Sequence, residues 1–201
     1  MKIDRRIQRS QRTRKKLLEA AKKVFLNVGY HDATIKMINA EAGTGHGTIY
    51  AHFPEGKEDI LRFLVREVMD EFYAITDIEF KPKSVEEAYG IIYDQVLQFV
   101  SLAEQHKHIL AVFYEAIGSS ESMRKLWEEF LDNFLARITM DIQYAIDSKL
   151  AKTELDSEIV ARILLSSGER FLWEIVRGQN KKSIKEIAAN ITKVYMFGLY
   201  K

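Results

Sequence analysis

The 201-residue chain contains no cysteine. That one absence removes a disulfide frame, a thiolate metal site and a cysteine nucleophile together. Proline is nearly missing, with only Pro54 and Pro82, and alternation of β-branched residues is scarce. The chain can therefore run as helix almost throughout. No apolar run approaches the roughly 18 residues needed to cross a bilayer. The start is basic and polar, without the apolar core of a signal peptide, so the cytoplasm is the expected compartment and no membrane partner is expected.

Material for a catalytic or metal centre is equally thin. The histidines are His31, His46, His52, His106 and His108. Glu104 and His108 are four apart on one helical face and supply two ligands at most, with no third in view. The glycines of Gly43-x-Gly45 lack the third glycine and the preceding strand of a dinucleotide loop, and Gly56-Lys57 is followed by Glu58 instead of a hydroxyl residue. No Ser/His/Asp constellation follows from spacing. Neither enzyme, cofactor nor metal is expected.

What is present is a globular composition, 47% hydrophobic, long enough for one large helical domain or a small domain fused to a larger one. Charge is divided unevenly. Residues 1–60 hold 12 Lys/Arg against 7 Asp/Glu, a net of +5, and the remainder holds 18 against 22, a net of −4. A basic N-terminal part suits a polyanion, and the acidic remainder a body kept off it.

Within the basic part, two short apolar-periodic segments flank Ala42-Gly43-Thr44-Gly45, the pattern of two helices joined by a tight turn. Ile35, Ile38 and Ala42 give the first segment its face, with Thr34 ahead of them as the helix cap. The second, His46 to Phe53, is too short to stand alone and must dock through Ile49 and Phe53. Its other face carries Thr48, Tyr50 and His52 with Gly47 between them, small or polar groups suited to close approach to a nucleic-acid backbone. The spacing predicts a helix-turn-helix.

Beyond the turn, Leu18-Glu19-Ala20-Ala21, Val24-Phe25, Gly29-Tyr30, Ala33-Thr34, Ile38, Ala42-Gly43, Gly47-Thr48-Ile49-Tyr50, His52-Phe53 and Lys57-Glu58 stand in one order. This order resembles the DNA-binding domain of the TetR/AcrR family of transcriptional regulators. It departs from the family's pattern at Gly45, where a serine often stands, at Asn39, which replaces an alanine, and in a loop at Pro54-Glu55-Gly56 one residue longer. The resemblance implies an all-α fold of about nine helices. A three-helix DNA-binding domain over residues 1–56 would precede a helical ligand-binding and dimerisation domain over 57–201. It also implies a partner, double-stranded operator DNA. Thr34, Thr48, Tyr50 and Lys57 would contact phosphates, and Gly45, His46 and His52 would lie near base edges, Gly47 allowing close approach.

The remaining chain is read around that centre. Lys2, Arg5, Arg6, Arg9, Arg12, Arg14, Lys15 and Lys16 against Asp4 make Met1 to Lys16 either an arm along DNA or a solvated tail, with Arg14 near the first ordered turn a DNA contact. A first helix is predicted over about 11–28, closed by Gly29 as a left-handed cap. A long helix from Lys57 to about Phe80 is the lever between the two parts. Further helices are predicted at about 84–105, 107–118, 121–150, 156–178 and 183–200, with start signals at Ser84, Ser120 and Asp156.

In the C-terminal part, Tyr93, Phe99, Phe113, Tyr114, Trp127, Phe130, Phe134 and Phe171 recur at helical spacing. They are either plain core or the walls of the inducer pocket that the resemblance implies, with Tyr93 and Asn133 its polar contacts. Such a pocket would take a lipophilic small-molecule effector, a fatty acyl compound or an amphipathic drug, for example. The last two helices carry wide apolar stripes, from Ile159 and Ile163 through Val194 to Leu199, with Gly168 and Gly198 permitting close approach. They either close a monomeric core or pair with a second copy as a four-helix homodimer interface, as in the family. The reading is a homodimeric repressor released by its ligand. The alternative is a DNA-binding module whose C-terminal domain docks a protein.

Overall fold

Arginine, lysine, glutamine and leucine are good helix formers, and neither glycine nor proline interrupts them before Gly29. The computed structural model, which describes residues Lys2–Leu199, has α1 running Lys2–Asp32. The arm or tail expected ahead of residue 11 is therefore helix, because nothing in its sequence breaks one. Met1, Tyr200 and Lys201, and the side chains of Lys2, Ile3, Asp4 and Leu199, lie outside the described residues.

Gly29 also departs from expectation. Its φ of 77° is left-handed but its ψ of 178° is extended, so it is a break that sets residues 30–32 off as a separate turn. The amide this break leaves without a helical partner, Tyr30 N, donates to Glu115 Oε2 at 2.8 Å.

The remaining helices among the described residues are α2 (Ile35–Ala42), α3 (Thr48–His52), α4 (Lys57–Thr76), α5 (Val85–Gln105), α6 (Lys107–Ile117), α7 (Glu121–Asp147), α8 (Ser157–Val176) and α9 (Ile184–Leu199). Their starts follow the sequence signals. Ser84 Oγ accepts from Glu87 N, Ser120 Oγ from Met123 N and Asp156 Oδ1 from Ile159 N. The end of α4 does not. It stops at Thr76, short of the expected residue 80, where the Thr76 hydroxyl turns back to the Tyr73 carbonyl at 2.7 Å. The chain then leaves the helix so that Phe80 enters the core. Downstream of α7, Lys149 takes φ 61° without being glycine, and the amides of Leu150 and Ala151 both bond Ala145 O.

The chain divides into two compact units. The first runs to Val68 and includes His108–Arg124; its core holds Leu17, Phe25, Ile38, Ile49, Phe53 and Leu61. The second holds Met69–Lys107 and the chain from Lys125 onward. There α5 packs on α8 and α9, and Phe80, Ala88, Ile92, Ile142, Ala161 and Met196 form a buried cluster. No helix among the described residues is long and apolar enough to cross a membrane.

A Cβ built on Gly29 would lie 2.8 Å from Glu115 Oε2. Gly29→Ala is expected to lower stability by about 1–2 kcal/mol from the left-handed φ alone, read as a lower urea midpoint with unchanged slope. If Glu115→Ala restored the midpoint, the carboxylate contact and not the backbone would be the cause.

Candidate functional site

A five-residue helix makes almost no complete turns of its own, so α3 depends on what holds it. The expected segment 46–53 narrows to Thr48–His52 because its first residues form the turn, with Thr48 N bonding Gly45 O at 3.0 Å. Ahead of it Gly43 adopts φ 62°, ψ 41°, which closes α2 in left-handed geometry while Thr44 N returns to Asn39 O. Asn39 is buried and ties the turn together. Its Oδ1 accepts from Thr44 Oγ1 at 2.9 Å, and its Nδ2 donates to His46 O at 3.4 Å. Ile49 and Phe53 anchor α3 in the core, as their spacing required.

Two cations expected at DNA are engaged within the protein. The Arg14 guanidinium donates to His52 O at 3.0 Å and lies over the rings of Phe53 and Phe63, capping the end of α3. Lys57 Nζ donates to Tyr30 O, His31 O and Ala33 O at 2.7, 3.2 and 2.9 Å, which accounts for the three donors of an ammonium. Burial pulls the pKa of Lys57 down, with Asp32 working the other way. Thr34 is the cap of α2, its Oγ1 accepting from Met37 N at 3.2 Å. Gly45, His46, Gly47 and Tyr50 are exposed, and Thr48 and His52 partly so. Tyr50 is 49% exposed, its ring edge against the Gly56 backbone. The outward face of α3 and its turn is thus polar and open.

Behind that face, Arg62 links the start of α4 to the start of α7. It bonds Asp59 and Glu55 at 2.8 Å each and Ser122 Oγ at 3.1 Å, and the Ser122 hydroxyl donates to Glu58.

In the second unit the aromatics form one cluster. Trp127, Phe130, Phe134, Phe99 and Phe72 meet at centroid distances of 4.9 to 5.8 Å, Trp127 stacked on Phe130 and Phe72 and Phe99 edge to face with their neighbours. Glu169 Oε1 accepts from the indole N–H of Trp127 at 2.8 Å. Beside the cluster lies a narrow cavity of about 80 Å³ among α4, α5, α7, α8 and α9. Of the aromatics expected around a ligand, Phe99 and Phe134 line it, and Phe171 faces a separate α8–α9 groove. Tyr93, Trp127 and Phe130 are not in its wall. Phe113, fully buried, and Tyr114, exposed, belong to α6 in the first unit. Asn133 is exposed and donates to Tyr73 Oη and Glu129 O.

The cavity's polar groups are ones the sequence reading passed over: Thr76, Gln95, Arg137 and Asp141. Arg137 and Asp141 stand four apart on the stripe that also carries Phe134 and Ile138, and a charged pair inside an apolar stripe is the signal that marks them. Arg137 Nε sits 3.3 Å from Asp141 Oδ1, an ion pair at an angle outside hydrogen-bond geometry. That N–H is buried without an acceptor, and Arg137 also donates to Ile78 O at 3.1 Å. Burial pushes the Asp141 carboxyl up to about 6, against the opposing pull of Arg137.

A third feature is apolar and uncovered. Ile159 and Ile163 of α8 and Val194 and Phe197 of α9 are 59% to 80% exposed, and Ile163 and Val194 line a groove of about 730 Å³.

A helix-turn-helix head on an otherwise helical chain defines a DNA-binding transcriptional regulator. Residues 17–63 match the model of the bacterial regulatory proteins of the tetR family, and residues 93–201 that of the C-terminal domain of the transcriptional regulator EthR. The chain belongs to the TetR family of transcriptional regulators, which bind DNA and are not enzymes. It is 24% identical over 185 residues to the fatty acid metabolism regulator protein of Bacillus subtilis, spanning 92% of this chain and 94% of that one. Among solved structures, NalD, the secondary repressor of the MexAB-OprM multidrug efflux pump in Pseudomonas aeruginosa, superposes with a TM-score of 0.75. It is 18% identical, over 96% of this chain and 98% of that one. The SmeT–triclosan complex gives 0.72 at 20% identity, over 94% and 92%. SmeT is the repressor of the Stenotrophomonas maltophilia pump SmeDEF.

Asp141 supplies a pH test. Its folded pKa of about 6 lies above the ordinary 3.8, so its stabilising contribution is present below about pH 4 and lost as pH rises through 6. Asp141→Asn, which cannot ionise, should melt above wild type at pH 8, and the gap should close at pH 4, as followed by circular dichroism.

Proposed function

We propose that the protein is a homodimeric repressor that leaves its operator when a lipophilic small molecule enters the second unit. The single observation that carries this reading concerns α4. This helix supplies Lys57, which caps the turn behind the DNA-facing helices, at one end, and Ile75 and Thr76, which line the cavity, at the other. A cavity of about 80 Å³ is narrow for an effector, so entry must move its walls. A packed helix moves as a body, and motion of Ile75 reaches Lys57. The ligand then acts by favouring a population in which the two recognition helices no longer match half-sites roughly 34–36 Å apart.

On this reading residues 1–56 read the operator and the chain from 57 senses and pairs. Thr34, Thr48 and Tyr50 contact phosphates, and Gly45, His46 and His52 approach base edges, with Gly47 leaving room for the backbone. Arg14 and Lys57, whose donors are engaged on carbonyls, act by positioning α3 and its supporting turn. The two copies pair through α8 and α9, whose exposed Ile163, Val194 and Phe197 form the kind of apolar patch a lone soluble protein rarely leaves open. Work on an operator puts the protein in the cytoplasm. Relatives named for fatty acid metabolism and for multidrug efflux fit a lipophilic effector.

The test is fluorescence anisotropy of purified protein on the DNA upstream of its own gene, at two salt concentrations, with a panel of lipophilic compounds. Binding that falls steeply with salt and is released by one compound supports the reading; binding that no compound releases removes the effector. Tyr50→Ala should weaken operator binding at least tenfold while leaving the dimer intact. Equal loss of both would make Tyr50 a structural residue. Val194→Asp with Phe197→Asp should yield a monomer by light scattering, and a persistent dimer would exclude the α8–α9 face.

A further inference from the structure

The effector cavity is apolar on nearly every side, yet one wall holds a full positive and a potential negative charge. Among the described residues Arg137 and Asp141 are the only charged side chains in its lining. The other elements line the cavity with uncharged groups, Thr76 from α4, Gln95 from α5, Leu164 from α8 and Tyr195 from α9; outside the lining, the exposed Glu79 carboxyl is pulled down first by Lys81 and also by Arg137. We propose that this cavity takes an amphiphile with a slender apolar chain and a carboxylate head, and that the head pairs with Arg137 in place of Asp141. The assignment rests on the effector reading above and names the chemistry of its ligand.

Three observations choose an anion over a cation. First, Arg137 carries a donor without an acceptor: its Nε–H is buried with no hydrogen bond, while one guanidinium nitrogen is engaged at Ile78 O. A carboxylate supplies two acceptors in the planar geometry a guanidinium fits. Second, the two charges of the wall are not equally fixed. Arginine stays protonated in any protein environment, while burial already holds the Asp141 carboxyl near 6. An arriving anion lets Asp141 take up a proton and leave the guanidinium to the ligand, so the site keeps one ion pair. An arriving cation would need Asp141 fully ionised, with Arg137 as a like charge beside it. Third, the cavity is bordered by Ile75, Ile92, Val96, Phe99 and Phe134 and is narrow, which suits a single chain better than a broad ring system.

The test compares decanoate, 1-decanol and decylamine by isothermal titration calorimetry on the full-length protein. The expected result is decanoate binding at least tenfold more tightly than the other two. Arg137→Gln should remove that preference and Asp141→Asn should strengthen decanoate binding, with melting curves reporting that each variant folds. If Arg137→Gln fails to fold, the Asp141→Asn result decides. Decylamine binding best, with loss in Asp141→Asn, would overturn the assignment in favour of a cation. Equal binding of all three would overturn it while leaving the cavity as the effector site. No binding by any of them would overturn this assignment, and the effector reading itself falls only if the whole panel of lipophilic compounds also fails to release the protein from DNA.

Discussion

A helix of five residues cannot hold itself, and that constraint shapes the first unit. Nucleation of helix fixes several dihedrals for the first hydrogen bond, and α3 ends almost as soon as it has begun. Its order is therefore imposed from outside. Ile49 and Phe53 anchor its inner face, Asn39 fixes the turn ahead of it, and Arg14 caps its last carbonyl. Each of these residues spends its side chain inward, which leaves the outward face free of structural duties. A DNA-reading surface can vary its base contacts only if its scaffold does not depend on them.

The second unit meets the opposite problem. Its core is amply apolar, with rings packed from Trp127 to Phe72. Arg137 and Asp141 nonetheless stand in the cavity wall as an ion pair whose buried Nε–H has no hydrogen bond. A partly buried pair costs desolvation that poor geometry does not return. Hydrophobic residues at both positions would pack more simply, so the pair is not explained by the stability of the core around it.

The helix-turn-helix was legible because its signals are local. A threonine cap, a tight glycine-bearing turn and an apolar period need only neighbours in sequence to be read, and Thr34, Gly43, Ile49 and Phe53 stand where those signals put them. What was not legible depends on partners far along the chain. Glu115 meets the Tyr30 amide across 85 residues, and Arg14 meets His52 across 38. Arg14 and Lys57 are cations on a basic segment, and charge alone does not distinguish a side chain aimed at a phosphate from one folded onto a carbonyl. The aromatics failed differently. Helical spacing gives the buried face of a helix but not which part of it meets a void, so Phe99 and Phe134 could not be told from Phe130 or Phe113. Asn39 and the Arg137–Asp141 pair left a readable trace, polar groups on apolar stripes.

The end of α4 joins these threads. Sequence periodicity carried the helix to about residue 80, where Pro82 would stop it, but the chain leaves at Thr76 and Phe80 turns into the core. Ile75 and Thr76 are consequently the last turn of a helix and a wall of the cavity at once. Helix ends are held by fewer backbone bonds than helix middles, so a wall built from one yields at lower cost than a wall built from its centre. The early stop that propensity did not foresee is thus what gives α4 an end at the cavity, while Lys57 ties its other end to the turn behind the reading head.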